Sequence, residues 1–137
     1  MKTKQLLNYA RDIWVPGDAS ALTELPSAID GSIVAAAGSG GLDFGAMLDH
    51  ARTVGGPALR RMTFHERARM LKGLGLAILA AKEPLYELSY QTGATRKDGW
   101  IDIEGGAGTL LSFSSKGRRE LPDANVLLDG ALEPLSK

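Results

Sequence analysis

Few residues in this sequence have the type and spacing that chemistry needs. His65-Glu66-Arg67-Ala68-Arg69 opens like H-E-x-x-H, the helical motif that sets two imidazoles on one face to hold zinc, but Arg69 stands at the second histidine position. A guanidinium has no lone pair to give a metal at neutral pH, so the motif is dead and Glu66 is free to serve the backbone. His50, the other histidine, has only Asp49 beside it, and adjacent helical residues point to different sides; it reads as a surface or boundary side chain. Asp102 and Glu104 lie two apart, about 200° around a helix, and cannot work as a carboxylate dyad. Ser114-Ser115-Lys116 sets hydroxyls beside an amine without the S-x-x-K spacing that joins them. The 137 residues contain no cysteine, so no thiolate is present as nucleophile or metal ligand. No general base is paired with a nucleophile anywhere.

The stretch WIDIEGGAGTLLSFSSK, residues 100–116, carries the remaining chemical signal. As strand and phosphate loop it would need glycines at fixed offsets, yet Gly106-Ala107-Gly108 is followed by Leu111 where a third glycine belongs, and no G-K-S/T follows. The helical template fits better. Trp100, Ile103, Ala107, Leu110 and Leu111 fall in one apolar sector, while Gly105, Gly108, Ser112 and Ser115 form a stripe of small side chains. Each glycine costs a helix roughly 0.8 to 1.0 kcal/mol relative to alanine, so the stripe implies that a neighbouring element or a ligand comes close to the backbone.

A chain of this length fits one unit, and 44% hydrophobic content with zero formal charge is ordinary for a folded protein. Balanced charge and a pI of 6.7 argue against a nucleic-acid or membrane-surface binder, which needs a net basic face. Arg60, Arg61, Arg67, Arg69 and Lys72 therefore read as a solvated basic face, with Arg67 at the edge of the apolar sector of its helix and Asp98, Asp102 or Glu104 as expected ion-pair partners. There is no apolar run of eighteen residues, and MKTKQLLNYARDIW lacks the core and cleavage site of a secretory signal. A cytoplasmic location is the expectation, with no nucleic-acid and no membrane partner.

The elements that must position these residues divide into a β-hairpin region over 1–40, a helical region over 41–117 and an extended tail over 118–137, within one α+β unit that is mostly helical. LLNYARDIWV has extended character and ends at Pro16-Gly17-Asp18; a further strand pair flanks Ile29-Asp30-Gly31-Ser32, with Pro26 keeping its strand at an edge. Phe44, Met47, Leu48 and Ala51 have helical spacing, which Gly55-Gly56-Pro57 breaks. Thr63 and Glu66 form a capping box for a helix ending near Lys82. Pro84 suits the first turn of the next helix, Gly93 its stop, and a last helix starts near Thr95. Beyond Gly117 one short extended segment is expected, Asn125 to Leu128.

Gly41-Leu42-Asp43-Phe44, GGPALRRMTFHERARMLK (55–72), LYELSYQTGATRKDGWIDIEGGAGTLLSFSSKGRRELPDANV (85–126) and EPLSK (133–137) resemble the N-terminal part of the aldehyde dehydrogenase domain of the bifunctional phenylacetate-degradation proteins, in the aldehyde dehydrogenase superfamily. In that family the dehydrogenase is joined to a hydratase that opens an oxepin-CoA ring, and related dehydrogenases of the benzoyl-CoA pathway carry similar segments. The first forty residues match loosely: Asp12-Ile13 precedes Trp14 where the family tends to have glycine. The resemblance implies the leading portion of an aldehyde dehydrogenase-like fold. It also implies oxidation of a CoA-linked semialdehyde with NADP, by attack of a cysteine thiolate and hydride transfer. No catalytic or cofactor-binding residue carries over to any position here, and the expectation is a segment inactive alone, partnered by the rest of the dehydrogenase domain or by copies of itself. A stand-alone interaction or oligomerisation module derived from that fold is the alternative. In such enzymes the helix like 95–116 borders the substrate passage. Gly105, Gly108 and Ser112 are then expected either to admit a crossing helix or to widen the passage for a bulky CoA thioester.

Overall fold

The computed structural model describes residues 3–128 and residue 130. Strand β1 (Leu7–Ala10) pairs antiparallel with β2 (Ile13–Pro16) in the register Leu7 to Pro16 and Ala10 to Ile13. The run LLNYARDIWV is thus folded on itself. Its two-residue turn, Arg11-Asp12, has φ of 51° and 67°, the double positive φ of a type I′ turn. Sequence gave no signal for this turn because arginine is a poor left-handed residue and neither position is glycine or asparagine. The opposed pair Tyr9 and Trp14 stacks edge to face with centroids 5.1 Å apart, which favours the register.

Strands β3 (Thr23–Pro26) and β4 (Ile33–Ala37) form the second antiparallel pair, with a register irregularity at Leu25/Pro26, where proline has no N–H to give. Asp30 and Gly31 make the turn as expected: Gly31 has φ of 74°, and Asp30 accepts from the Ser32 N–H and hydroxyl at 3.0 and 2.7 Å. The hydroxyl and N–H of Ser32 hold the Asp30 carboxyl below its ordinary value. The segment before β1 docks on the other edge of β4, through Leu6 N–H to Ala36 O at 2.8 Å and Ala36 N–H to Lys4 O at 2.9 Å. The two hairpins cross closely at Gly17, where a Cβ would lie 2.2 Å from the Gly38 carbonyl oxygen.

Helix α1 (Phe44–His50) and α2 (Gly56–Arg61) are joined by a π-helical turn, Ala51–Gly55, so Gly55-Gly56-Pro57 does not break the helix. The Gly56 N–H reaches the Ala51 carbonyl five residues back, and the Thr53 hydroxyl donates to the Asp49 carbonyl at 2.7 Å. The wider turn draws carbonyls away from the Pro57 ring, whose clash with the carbonyl four residues earlier normally ends a helix.

Helix α3 (Phe64–Ala80) carries the expected capping box: Thr63 Oγ1 accepts from the Glu66 N–H at 3.1 Å, and Glu66 Oε2 accepts from the Thr63 N–H at 2.8 Å. Helix α4 (Lys82–Gln91) has Pro84 in its first turn and stops before Gly93, which has φ of 84°. A second capping box, Thr95 with Asp98, starts α5 (Arg96–Trp100), which runs through a second π-helical turn, Ile101–Gly105, into α6 (Gly106–Glu120). Both wide turns close on a Gly-Gly pair. A threonine hydroxyl donates to a carbonyl four residues earlier at each, Thr53 within the first turn and Thr109 of α6 to Gly105, the last residue of the second, at 3.1 Å.

Helices α3 and α6 run antiparallel and meet through small residues: a Cβ on Gly75 would lie 3.2 Å from Leu111, and one on Gly117 would lie 3.3 Å from Ala68. Among the described residues Arg67 takes no acidic partner. Its guanidinium donates to the carbonyls of Met62 (3.1 and 3.3 Å) and Asn125 (3.4 Å) and lies 5.0 Å from the Phe64 ring centroid. Asp98, Asp102 and Glu104 belong to the α5–α6 helix, whereas Arg67 sits where α2 passes into α3, among carbonyls that need donors. Asn125 to Leu128 is irregular and exposed, not a strand, and EPLSK (133–137) lies outside the described residues.

The fold is α+β, mostly helical, with two small antiparallel strand pairs. Among the described residues the buried hydrophobic ones are Ala10, Ala35, Ala36, Ala68, Tyr86 and Ala107, and Tyr86 is the largest of these side chains. Surface area puts this thinness in proportion. A self-contained chain of 14.5 kDa exposes roughly 6,900 Å², whereas this chain exposes 10160 Å². The ten residues outside the description would supply at most roughly 1,600 Å² even as extended chain.

Candidate functional site

The stretch EGGAG is helical throughout, a wide turn followed by the first turn of α6, and forms no phosphate loop. Gly105 and Ser112 are exposed and Gly108 is half-buried, and a Cβ built on Gly105 or Gly108 would meet nothing within 4 Å. The crossing helix α3 lies instead against Ala107 and Leu111, beside the buried Ser114. Among the described residues the small stripe is an open surface.

One polar constellation linking α4 to the second wide turn was not visible in the sequence. Glu104, on the second wide turn, accepts hydrogen bonds at Oε1 from the Tyr86 hydroxyl (2.8 Å) and the Lys82 ammonium (3.2 Å), both from α4. Tyr86 is 1% exposed; the Arg96 guanidinium covers its ring at 3.7 Å, and Arg96 pairs in turn with Glu83. Gly99 lets the ring approach, since a Cβ there would sit 3.1 Å from it. Burial first, then the hydrogen bond and charge of Glu104, push the Tyr86 phenol up. The hydroxyl of Tyr86, then Lys82, hold Glu104 below the ordinary glutamate value. The two groups are driven apart, so around neutrality Tyr86 is a fixed donor and Glu104 a fixed acceptor. This is the chemistry of a clamp between α4 and the wide turn, with no proton to exchange. The signal was absent because residues 82, 86 and 104 meet only when α4 packs on the α5–α6 helix.

His50 has a partner that sequence neighbours did not reveal: its Nε2 lies 3.0 Å from Asp12 Oδ2, at the tip of the first hairpin. His65 is occupied on both nitrogens, Nε2 at 2.9 Å from the Leu121 carbonyl and Nδ1 at 3.8 Å from Asp123, and Glu66 is committed to its cap, as the dead zinc motif required. Among the described residues no three His, Cys, Asp or Glu side chains gather to hold a metal, and no helix is long and apolar enough to cross a membrane. Two clefts stand out among the described residues. One of about 260 Å³ lies between β3–β4 and the end of α4, lined by Leu25, Val34, Leu88 and Gln91 with Lys4 at its edge. The other, about 210 Å³, lies between the first hairpin and α1, near Arg11, Val15, Asp43 and Met47.

No protein-family model matches the chain. Over 117 residues it is 31% identical to the 3,4-dehydroadipyl-CoA semialdehyde dehydrogenase of Aromatoleum evansii, an alignment covering 83% of this chain and 22% of that enzyme. The chain therefore spans about a fifth of the length of the curated relative it matches. This relative is named for a CoA-linked semialdehyde; the match does not single out the bifunctional phenylacetate-degradation proteins. The match supports a distant relationship to the aldehyde dehydrogenases.

Proposed function

We propose that this chain is the N-terminal segment of an NADP-dependent aldehyde dehydrogenase that oxidises a CoA-linked semialdehyde in aromatic catabolism, and that it acts as scaffold without activity of its own. The observation that carries the reading is the 31% identity to a CoA semialdehyde dehydrogenase. The chemistry of the sequence supports it: a thioester-forming dehydrogenase step needs a thiolate, and these residues include no cysteine.

The residues present do not fit NADP. The glycine-rich loop Gly38-Ser39-Gly40-Gly41 follows β4 and precedes α1, but its glycines serve a close crossing, with a Cβ on Gly38 falling 2.6 Å from the Ala21 carbonyl oxygen. The Asp43 carboxylate caps α1 by accepting from the Ala46 N–H at 2.9 Å, which sets negative charge where a phosphate would come. No step through the nucleotide is assigned to this chain. Its proposed contribution is the open stripe Gly105, Gly108 and Ser112 as one wall of the substrate passage.

Two measurements test this. The purified chain should give no aldehyde-dependent NADP reduction; turnover by it would end the scaffold reading. In a complete dehydrogenase carrying this segment, Gly108→Leu should raise KM for the CoA-linked aldehyde more than for a short free aldehyde, whereas equal losses would assign the stripe to packing. The second reading, a stand-alone interaction module, draws on the large exposed apolar surface and requires a monodisperse oligomer that buries it.

A further inference from the structure

The tip of the first hairpin is strained, and it is held from outside. Among the described residues Arg11 and Asp12 are the non-glycine residues at positive φ, 51° and 67°. Strain of this kind persists only where neighbouring structure imposes it, and it collects at switches. Hydrogen bonds fasten the base of the hairpin to the rest of the fold. The Leu6 N–H reaches the Ala36 carbonyl and the Asp18 N–H the Gly40 carbonyl, each at 2.8 Å, and Asn8 Nδ2 donates to the Gly38 carbonyl at 2.9 Å. The tip has one such tie among the described residues, between Asp12 Oδ2 and His50 Nε2 at 3.0 Å. His50 ends α1 and its side chain is 27% exposed, so the contact is largely shielded from water on the helix side. Between hairpin and helix lies the cleft of about 210 Å³, where Ile13, Val15 and Met47 stand with Arg11 and Asp43.

We propose that Asp12 and His50 form a pH-sensitive latch that pins the hairpin tip to α1 and closes one side of this cleft. An aspartate carboxylate and an imidazolium coexist between about pH 4 and pH 6.5, and there the contact is an ion pair. As pH rises through neutrality the imidazole loses its charge, which leaves a hydrogen bond without a charged donor and slackens the latch. Below the window the carboxylate takes up a proton and the pair is lost from the other side. The charged groups around His50 come from two elements: Arg11 and Asp12 from the tip, and Asp43, Asp49 and Arg52 from the helix that carries it. Among the described residues Asp12 is the one within ion-pair distance of it. Strand pairing places the carboxylate and α1 places the imidazole, so what varies near neutrality is the proton between them. Release leaves the fastened base where it is and frees the tip alone. The latch is read from the hairpin and α1 and does not rest on the dehydrogenase reading.

Amide hydrogen exchange of the full chain tests it, read as protection factors so that the exchange reaction's own pH dependence drops out. Protection across the tip, residues 10–13, should be about two- to fivefold higher at about pH 5.5 than at about pH 8, the range an exposed ion pair supplies. The amides of β3 and β4 serve as the reference and should keep their protection. His50→Gln removes the titrating group and should flatten the tip's profile. Asp12→Asn and Asp12→Gly both suit left-handed backbone, so the turn survives while the ion pair does not, and both should flatten it too. Protection at the tip that ignores pH would overturn the inference. So would a wild-type profile that persists in the variants, or β3 and β4 amides that follow the same profile, which would mark a change in the whole fold. If His50→Gln loses its circular dichroism signature, the two Asp12 variants decide.

Discussion

Gly108 and Gly99 lie on one continuous helix and should answer the same substitution in opposite directions. A Cβ on Gly108 meets open space, so Gly108→Ala gains helix propensity and should stabilise the chain by about 0.8 to 1.0 kcal/mol. A Cβ on Gly99 lands 3.1 Å from both the Tyr86 ring and Ser89 Oγ, and overpacking of that kind costs about 1–3 kcal/mol, so Gly99→Ala should unfold at lower temperature. Thermal melts of both check the pair. Glu104 makes a pH prediction with a definite sign. Its folded-state value lies below the unfolded one, so its contribution is present above roughly pH 4.3 and lost as pH falls through the folded value. Glu104→Gln should lower stability at neutral pH and flatten the acid limb of a denaturation profile. The flattening is partial, because Asp18, Asp30 and Asp98 are also held low by Ser and Thr hydroxyls and N–H groups. Tyr86, held high, gives the opposite limb: its share is present below roughly pH 10 and lost as pH rises, and Tyr86→Phe removes it.

Elements whose ends are fixed by local hydrogen bonds were legible in the sequence. The Thr63–Glu66 box and the Gly93 stop need only residues within one turn of each other, and both stand where the spacing puts them. Thr63→Ala should cost about 1 kcal/mol, measured by urea denaturation. The helix over 44–61 was not legible, because rules for Gly-Gly-Pro assume the ordinary four-residue hydrogen-bond step, which the wide turn replaces with five. The Arg11-Asp12 turn was hidden for a related reason: its positive φ values are imposed by strand pairing and by the Tyr9–Trp14 contact, not by the turn residues themselves. The open α6 surface and the Lys82–Tyr86–Glu104 clamp depend on which helices meet, which no periodicity reports.

At the scale of the molecule, the large hydrophobic residues face outward: Trp14 is 66% exposed, Phe113 62% and Trp100 54%. Apolar surface of this extent is what a covering partner would bury. A dye that fluoresces on apolar surface should bind the natively folded chain and be displaced as assembly proceeds. The two π-helical turns have a separate consequence, for how the length of this chain can vary. Each is one residue of slack inside a continuous helix, so loss of Gly105 would let that turn relax to the ordinary step while the flanking segments keep their places. Loss of Ala77 from α3 would instead rotate everything beyond it by about 100° and pull Gly75 out of phase with Leu111. Insertions and deletions in descendants of this sequence should therefore accumulate at 51–56 and 101–106, where the helix has already learned to absorb one.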